Sequence, residues 1–396
     1  MARVLSNHRC QDFLTAIGLL LAVLSLVLYP SEAVEAARSG LELCLNVILP
    51  SLFPFFVLSS LCVELGLIRH LGRLLEPIMY PLFRVNGSCS AAFALGIIGG
   101  YPVGAKTAIS LYEKQYCTKE EAERMLAFCN NSGPAFILGV VGAGVFSSGK
   151  IGILLYCMHV LASILIGIGS GLFTGHSAGP RMVRRTPTRI ETVSFTEAFT
   201  NSVKNSFFST LTICGFVIFF TVVIRMLFLT GVLHLAASGL AVLLGPIGMT
   251  EAWAERLLTG FIEMSSGVWS LQSVAGSLTG KLSLAAFILG WAGVSVHFQV
   301  LSFIGKSGLS TRTYIFGKLL HGVLSAILVF IACRFFPVTN SVPAYYAEQI
   351  TNLAGLDFST ALTVSCAAAL VIWIVLLAVS VVIVGRTTGK KRRPVV

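Results

Sequence analysis

Long stretches of apolar residues dominate the chain, and most of them have the length of a bilayer crossing. A membrane-spanning α-helix needs about 20 mostly apolar residues. Two runs of this length, 43–65 and 314–336, carry a few charged side chains. The uncharged runs of this order are residues 13–31, 85–105, 125–149, 151–179, 206–224, 226–250, 282–305 and 358–385. The pattern predicts an all-α polytopic membrane protein.

Two segments have a less certain relation to the bilayer. Between residues 68 and 83, charged residues alternate with Leu, Ile and Met at helical spacing. This favours an amphipathic helix lying in the interface, with a short crossing capped by Pro77 and Pro81 as the alternative. The first apolar run resembles a cleaved signal peptide, but the many runs after it favour a retained membrane anchor.

Clusters of Gly, Pro and polar residues interrupt two apolar runs in the first half. Residues 99–104 contain three glycines and one proline, a composition that cannot continue an α-helix. Residues 129–134 read Cys-Asn-Asn-Ser-Gly-Pro and follow a helix whose start is marked by Thr118 and Glu121 as a capping box. Both clusters predict discontinuous helices.

Short motifs of the first half recur in the second half at a nearly constant spacing. His159 and His321, each followed four residues later by serine, lie 162 residues apart. Gly96 matches Gly260 at a spacing of 164, and the break at 130–133 matches residues 292–295 at a spacing of 162. A similar Asn and Ser-aromatic pattern links residues 46–53 with 201–208 at a spacing of 155. The chain is therefore predicted to contain a duplication of about 150 residues.

Positive charge is concentrated in two segments without acidic residues. Four arginines lie between residues 174 and 189, and five Lys and Arg follow residue 385. The positive-inside rule places both segments in the cytoplasm. Because the last apolar run must change sides, the second repeat makes an odd number of crossings, and the repeats are predicted to be inverted. The predicted organisation is 1–39 N-terminal helix and connector, 40–173 first repeat, 174–193 basic linker, 194–336 second repeat, and 337–396 C-terminal helix and basic tail.

Composition excludes the other broad classes of protein. Hydrophobic residues make up 55% and charged residues 11%, against about 25% charged in soluble domains. A soluble, disordered or disulfide-rich secreted protein is therefore excluded. The net charge of +11 is explained by topology rather than by nucleic-acid binding. The ten cysteines have no CxxC spacing, so free thiols are expected and a metal site is not.

The two breaks of the first half supply the first candidate binding residues. A half-helix that starts after residues 99–102 presents free N–H groups and a positive dipole end, which favour an anion. Lys106 in its first turn suggests a negative partner, with snorkelling or pairing with Glu113 as the alternative. At the second break, polar groups in mid-membrane are costly unless they bind something, with a helix–helix clamp as the alternative. The candidates are Tyr101, Gly104, Lys106, Asn130, Asn131 and Ser132.

The matching breaks of the second half supply the remaining candidates. Glu263 is an intramembrane carboxylate suited to proton or cation coupling, with a structural ion pair to Lys106 as an equal alternative. The other candidates for contact with a polar, planar substrate are Ser265, Ser266, Trp269, His297 and Gln299. His159 and His321 are expected to pack between helices. No enzyme motif occurs, so the chain is predicted not to be an enzyme.

The motifs around the first two breaks resemble those of a known family. Gly100-Tyr-Pro-Val-Gly-Ala-Lys106, the charged helix 113–124, Asn130-Asn-Ser-Gly-Pro134 and the Leu-Pro-Ser-Leu-Phe-Pro-Phe-Phe stretch at 49–56 are similar to the sporulation integral membrane protein YlbJ family. Its members carry the nucleoside-recognition Gate domain, which also occurs in concentrative nucleoside transporters. The similarity covers most of residues 40–335 and is most specific between 49 and 139.

The resemblance implies a transporter of endospore-forming bacteria, associated with moving dipicolinic acid across the outer forespore membrane from the mother cell. Together with the residues above, it predicts a secondary transporter or facilitator of a small planar organic anion. Partners are that anionic substrate and the lipid bilayer, with no nucleic acid, no cofactor and either Na⁺ or H⁺ as a possible coupling ion. The alternatives are a Gate-type nucleoside or nucleobase transporter and a non-transporting membrane scaffold for sporulation.

Overall fold

The computed structural model describes residues 8–65, 74–172, 194–335, 370–371 and 373–375, and every regular element within them is helical. Three predicted segments lie outside the described residues: the linker 174–193, most of the run 358–385 and the basic tail. The domain boundaries placed in these segments stay predictions.

The first half of the described chain contains nine helices. The second and third form one continuous helix through a π-helical turn at Cys44–Ile48, and the eighth is itself π-helical. They are α1 (His8–Leu28), α2 (Pro30–Leu43), α3 (Leu49–Glu64), α4 (Leu74–Phe83), α5 (Ser90–Ile98), α6 (Val103–Glu113), α7 (Lys119–Phe128), α8 (Ala135–Val145) and α9 (Gly149–Leu172).

The second half repeats the same order of elements without the N-terminal helix. Its helices are α10 (Phe195–Leu229), α11 (Val232–Leu244), α12 (Glu251–Ile262), α13 (Met264–Ser270), α14 (Leu278–Trp291), α15 (Gly293–Ser307) and α16 (Thr311–Phe335). In both halves a long helix is followed by a short helix, a helical hairpin, a helix broken in two and a second long helix. The predicted duplication with discontinuous helices is confirmed.

The order of elements explains the inversion of the repeats. A hairpin returns to the side from which it starts, whereas the long helices and the broken helix each change sides. Each half therefore changes sides an odd number of times, and the second repeat runs opposite to the first. Within the described residues, four helices are long and apolar enough to cross a membrane, or up to six if two sharply bent helix pairs are counted as spans.

Three of the predicted spans take a different form. The run 85–105 folds into the hairpin α5–α6 rather than one span. The runs 206–224 and 226–250 are not separated at Arg225, because this exposed residue lies within the 35-residue helix α10. The run 226–250 therefore does not form a span of its own. Its main helix, α11, has 13 residues and is about 20 Å long, whereas the hydrocarbon core is about 30 Å thick.

Glycines close both hairpins by direct backbone contact. A Cβ built on Gly104 would lie 2.8 Å from the Gly96 Cα, and one built on Gly267 would lie 2.1 Å from the Gly260 Cα. In a continuous helix, residues seven or eight positions apart are separated by more than 10 Å. The chain therefore reverses between each pair, and the reversals place residues 99–102 and Glu263 at the two hairpin tips.

Helix α16 lies at the centre of the bundle, packed against α7, α9 and α14, while α10 packs against α2 and α3. The two histidines that the repeat analysis paired meet at this centre. The rings of His159 in α9 and His321 in α16 have centroids 4.3 Å apart. Positions that are equivalent in the two repeats thus become direct neighbours where the repeats face each other.

Candidate functional site

One cavity receives residues from all four chain breaks. It contains about 570 Å³ of empty space, part of which is open to solvent. The long helices α3 and α10 close its remaining sides. Its lining residues are Leu52, Phe56, Ile98, Gly99, Gly100, Tyr101, Ser132, Gly133, Ala135, Phe136, Ile213, Phe216, Val217, Glu263, Met264, Ser265, Ser295, Val296 and Gln299. Two hairpin tips and two broken helices therefore surround a single site, as in inverted-repeat transporters.

Tyr101 at the tip of hairpin α5–α6 connects the cavity to the centre of the bundle. The side chain is buried, and its hydroxyl donates a hydrogen bond to the backbone oxygen of Leu289 at 2.9 Å. The same hydroxyl oxygen accepts a hydrogen bond of 2.7 Å from the Lys318 Nζ. The Lys318 Nζ also lies 4.8 Å from the centroid of the Tyr101 ring.

Lys318 in α16 is completely buried and has polar partners but no acidic one among the described residues. Its Nζ donates to the Tyr101 hydroxyl, to the backbone oxygen of Asn130 at 2.9 Å and to the Nδ1 of His321 at 3.2 Å. These three acceptors match the three donors of an ammonium group. The buried centre of the bundle thus holds a lysine with one acceptor for each hydrogen of its ammonium form.

The two central histidines extend this network to the first broken helix. His321 places its Nε2 3.0 Å from the backbone oxygen of His159, so this nitrogen carries the proton and Nδ1 is free to accept from Lys318. The Nε2 of His159 accepts from the backbone N–H of Ser132 at 3.1 Å. Side chains of both repeats therefore hold the break at 129–134 in place.

The polar residues of this break are buried but only partly hydrogen-bonded. Asn130 donates weakly to the Tyr314 hydroxyl at 3.4 Å, and Asn131 donates to the Phe128 backbone oxygen and to the Ser163 hydroxyl. The side-chain oxygens of Asn130, Asn131 and Ser132 have no hydrogen-bond partner. Buried polar atoms without partners are costly, and of these three residues Ser132 borders the cavity directly.

Glu263 forms the tip of hairpin α12–α13 and lines the cavity. Its carboxylate accepts hydrogen bonds from the backbone N–H groups of Ser265 at 3.0 Å and Ser266 at 2.6 Å, and it thereby caps the N-terminus of α13. The described residues give it no ion pair. The pairing with Lys106 that the sequence allowed is wrong, because Lys106 is exposed and its Nζ lies 6.0 Å from the Phe303 ring centroid.

Five of the twelve candidate residues line the cavity: Tyr101, Ser132, Glu263, Ser265 and Gln299. Asn130, Asn131 and His297 are buried beside it, and the His297 Nδ1 bonds the Tyr314 hydroxyl at 2.9 Å. The structure does not bring the other four to the cavity. Gly104 packs on Gly96, Lys106 is exposed, the Ser266 hydroxyl bonds Thr221, and Trp269 is 37% exposed.

The residue that sequence reasoning missed is Lys318. It lies in the run 314–336, which the sequence pattern predicts to be a span that tolerates charge, although a charged residue inside a membrane segment is by default a functional candidate. That rule, applied to every charge in an apolar run, is the signal that identifies it. Tyr314, one helical turn earlier on α16, faces the same network.

Removing the carboxylate at position 263 is expected to loosen the second hairpin. Glu263→Ala leaves the Ser265 and Ser266 N–H groups of α13 without their acceptor, and loss of an N-cap costs about 0.5–2 kcal/mol. Thermal unfolding of the purified protein measures this loss. Glu263→Gln keeps one acceptor oxygen, so we expect a smaller loss. Equal stability of Glu263→Ala and the unsubstituted protein would contradict the capping role.

Within the described part of the chain, no group of three or more His, Cys, Asp or Glu residues is placed to hold a metal ion. The seven cysteines whose surroundings are described are free thiols.

Comparison with known proteins agrees with this architecture. Residues 45–170 match the Gate family, described as nucleoside recognition. The structure of CNTnw in an inward-facing substrate-bound state has a TM-score of 0.52 and 13% identity, covering 83% of this chain and 88% of that one. A variant of CNTnw in an intermediate state has a TM-score of 0.56 and 13% identity, covering 73% and 76%. At 13% identity, the similarity to these structures shows a shared fold and nothing beyond it.

A curated relative is closer in sequence. The chain is 30% identical over 356 residues to the sporulation integral membrane protein YlbJ of Bacillus subtilis (strain 168), covering 85% of this chain and 86% of that protein. Helices apolar enough to cross a bilayer and the fold shared with CNTnw accompany this similarity. The chain therefore belongs to the YlbJ family of sporulation integral membrane proteins.

Proposed function

We propose that the protein is a secondary transporter or facilitator of a small planar organic anion, with dipicolinic acid as the leading substrate. The observation that carries the proposal is the buried side chain of Lys318, whose Nζ has three hydrogen-bond acceptors and no acidic partner among the described residues. An uncompensated positive charge in a medium of low dielectric constant favours an anion nearby. Tyr101, which accepts from this ammonium, lines the cavity.

The helix N-termini at the cavity also favour a negatively charged substrate. The first turns of α8 and α15 border it through Ala135 and Ser295, and a helix N-terminus carries a partial positive charge. The one carboxylate in the lining, Glu263, is engaged by N–H groups of α13. Lys318 and the starts of α8 and α15 therefore remain to attract an anion.

The chemistry of the lining suits a planar ring. Aromatic side chains of Phe56, Tyr101, Phe136 and Phe216 contribute to the walls, and Ser132 and Gln299 offer hydrogen bonds. A pyridine dicarboxylate combines a flat apolar face with two charged edges. Binding sites of this kind are mostly apolar with a few polar groups that fix orientation.

In this proposal the substrate crosses by alternating access of the two inverted repeats, without enzymatic turnover. The basic linker and tail face the cytoplasm under the positive-inside rule. Family membership supports sporulation as the setting, with the outer forespore membrane as the site of transport.

A nucleoside is the second candidate substrate. The Gate match supports it, as does the presence of both Glu263 and Gln299 in the lining, because a carboxylate and an amide suit the hydroxyl and amide groups of a nucleoside. Such a substrate is neutral and does not need the charge of Lys318.

Uptake by proteoliposomes containing the purified full chain distinguishes the two candidates. We expect accumulation of labelled dipicolinate above that of protein-free liposomes, and competition by other planar aromatic dicarboxylates. Uridine and adenosine at the same concentrations should not compete. Competition by the nucleosides with no uptake of dipicolinate would favour the second candidate, and no uptake of either compound would favour a scaffold.

A further inference from the structure

We propose that the ammonium of Lys318 is a resident cation filling a monovalent-cation site between the first hairpin and the first broken helix, so that transport needs no Na⁺. The inference extends the proposed function, but the site itself is a property of the folded chain and is tested independently of transport.

The acceptors around the ammonium are of the kind that binds monovalent cations in discontinuous helices. The backbone oxygen of Asn130 lies just beyond the C-terminal end of α7, where the helix dipole is negative, and it is 2.9 Å from the Lys318 Nζ. The Tyr101 oxygen approaches from the hairpin tip at 2.7 Å. Carbonyl groups at broken helix ends are typical ligands of coupling cations in transporters.

The hydrogen-bond directions around the Lys318 Nζ are those that suit an ammonium group. The Tyr101 hydroxyl donates its proton to the Leu289 oxygen, and the His321 Nε2 proton points to the His159 oxygen. Neither group has a second proton to offer towards Lys318. A neutral amine has a lone pair that needs a donor, whereas an ammonium has three donors and no acceptor. With the Tyr101 proton on the Leu289 oxygen, the surroundings provide three acceptors, the number that an ammonium needs.

The cation is supplied by the chain and joins three elements. Lys318 belongs to α16 of the second repeat, whereas Tyr101 and Asn130 belong to the first hairpin and the first broken helix. An exchangeable ion in this position would hold the same elements together only while bound. A covalently attached ammonium holds them at every ion concentration, which removes the reason for Na⁺ dependence.

The test compares cations on purified protein in detergent. Melting temperatures are measured at equal ionic strength in NaCl, methylammonium chloride and choline chloride for the unsubstituted protein, Lys318→Ala and Lys318→Met. We expect the unsubstituted protein to melt at the same temperature in all three salts. Lys318→Ala opens a vacancy beside three acceptors, so it should melt lower in choline and recover most of the loss in Na⁺ or methylammonium.

Lys318→Met is the matched control, because its side chain fills the vacancy without a charge and should show no recovery. Specific stabilisation of the unsubstituted protein by Na⁺ overturns the proposal. A Lys318→Ala variant whose melting temperature is the same in all three salts also overturns it. If Lys318→Ala folds poorly in choline, the yield of folded protein extracted in methylammonium gives the same readout, and an unchanged yield counts against the site.

Uptake measurements test the absence of Na⁺ dependence independently. Replacing a Na⁺ gradient by a choline gradient should leave dipicolinate uptake unchanged, and uptake that depends on Na⁺ overturns the proposal. Absence of any uptake, combined with the expected melting behaviour, contradicts the proposed function and leaves the cation site standing.

Discussion

Replacing Lys318 by methionine is expected to raise the dipicolinate concentration needed for half-maximal uptake about thirtyfold. A unit charge about 8 Å from an anion contributes roughly 2 kcal/mol at an effective dielectric constant of about 20, which corresponds to about thirtyfold in affinity. Methionine has a similar length and no charge, so the variant removes the attraction while filling the space. Initial rates of labelled uptake into proteoliposomes measure the effect.

Two controls separate the charge from a general loss of structure. Lys318→Arg keeps the charge and should retain more uptake than Lys318→Met at equal amounts of folded protein. Lys281→Met removes a lysine whose Nζ donates, among the described residues, to the backbone oxygen of the exposed Gln272, and uptake should stay near that of the unsubstituted protein. If Lys318→Met is folded and transports with unchanged affinity, the anion proposal loses its main support.

Adding one methyl group at position 267 is expected to prevent the second hairpin from closing. A Cβ on Gly267 would lie 2.1 Å from the Gly260 Cα and 2.6 Å from its backbone nitrogen, so no side chain can move aside. Overpacking of a well-packed interior typically costs about 1–3 kcal/mol, and a clash with backbone atoms of the facing helix is a severe case. Gly267→Ala should therefore melt lower and give less folded protein.

The first hairpin should respond in the same way, because a Cβ on Gly104 would lie 2.8 Å from the Gly96 Cα across the hairpin and 1.9 Å from the Cys129 carbonyl oxygen of the neighbouring broken helix. The matched control is Gly215→Ala in α10, where no atom lies within 4 Å of the new methyl group. Alanine is also the better helix former, so this variant should be as stable as the unsubstituted protein. Equal melting temperatures of Gly267→Ala and Gly215→Ala would show that the hairpins do not close as described.

The sequence predicted the architecture well because helix breaks are local. Gly and Pro interrupt a helix through their own backbone geometry, so the breaks at 99–102 and 129–134 were visible without a structure. The repeat spacing that pairs His159 with His321 was also visible, and their rings lie 4.3 Å apart. The hairpins were less visible, because the run 85–105 has the apolar length of a straight crossing.

The candidate site was predicted in part. Tyr101, Ser132, Glu263, Ser265 and Gln299 were found at the cavity because broken helices meet there in an inverted-repeat fold. Lys106 was predicted as a binding residue, but it is exposed and does not line the cavity. Its position in the first turn of a half-helix does not reveal which way the side chain points.

The amino-acid sequence by itself determined that the chain is a membrane protein of two related halves with four helix breaks, because apolar length, glycine, proline and charge act on the residues nearest to them. The tertiary structure decided which polar groups meet. Lys318 contacts the Tyr101 hydroxyl across 217 positions of the chain, and His321 contacts the His159 backbone across 162. Contacts of that separation arise only when the repeats pack together, so no local pattern specifies them.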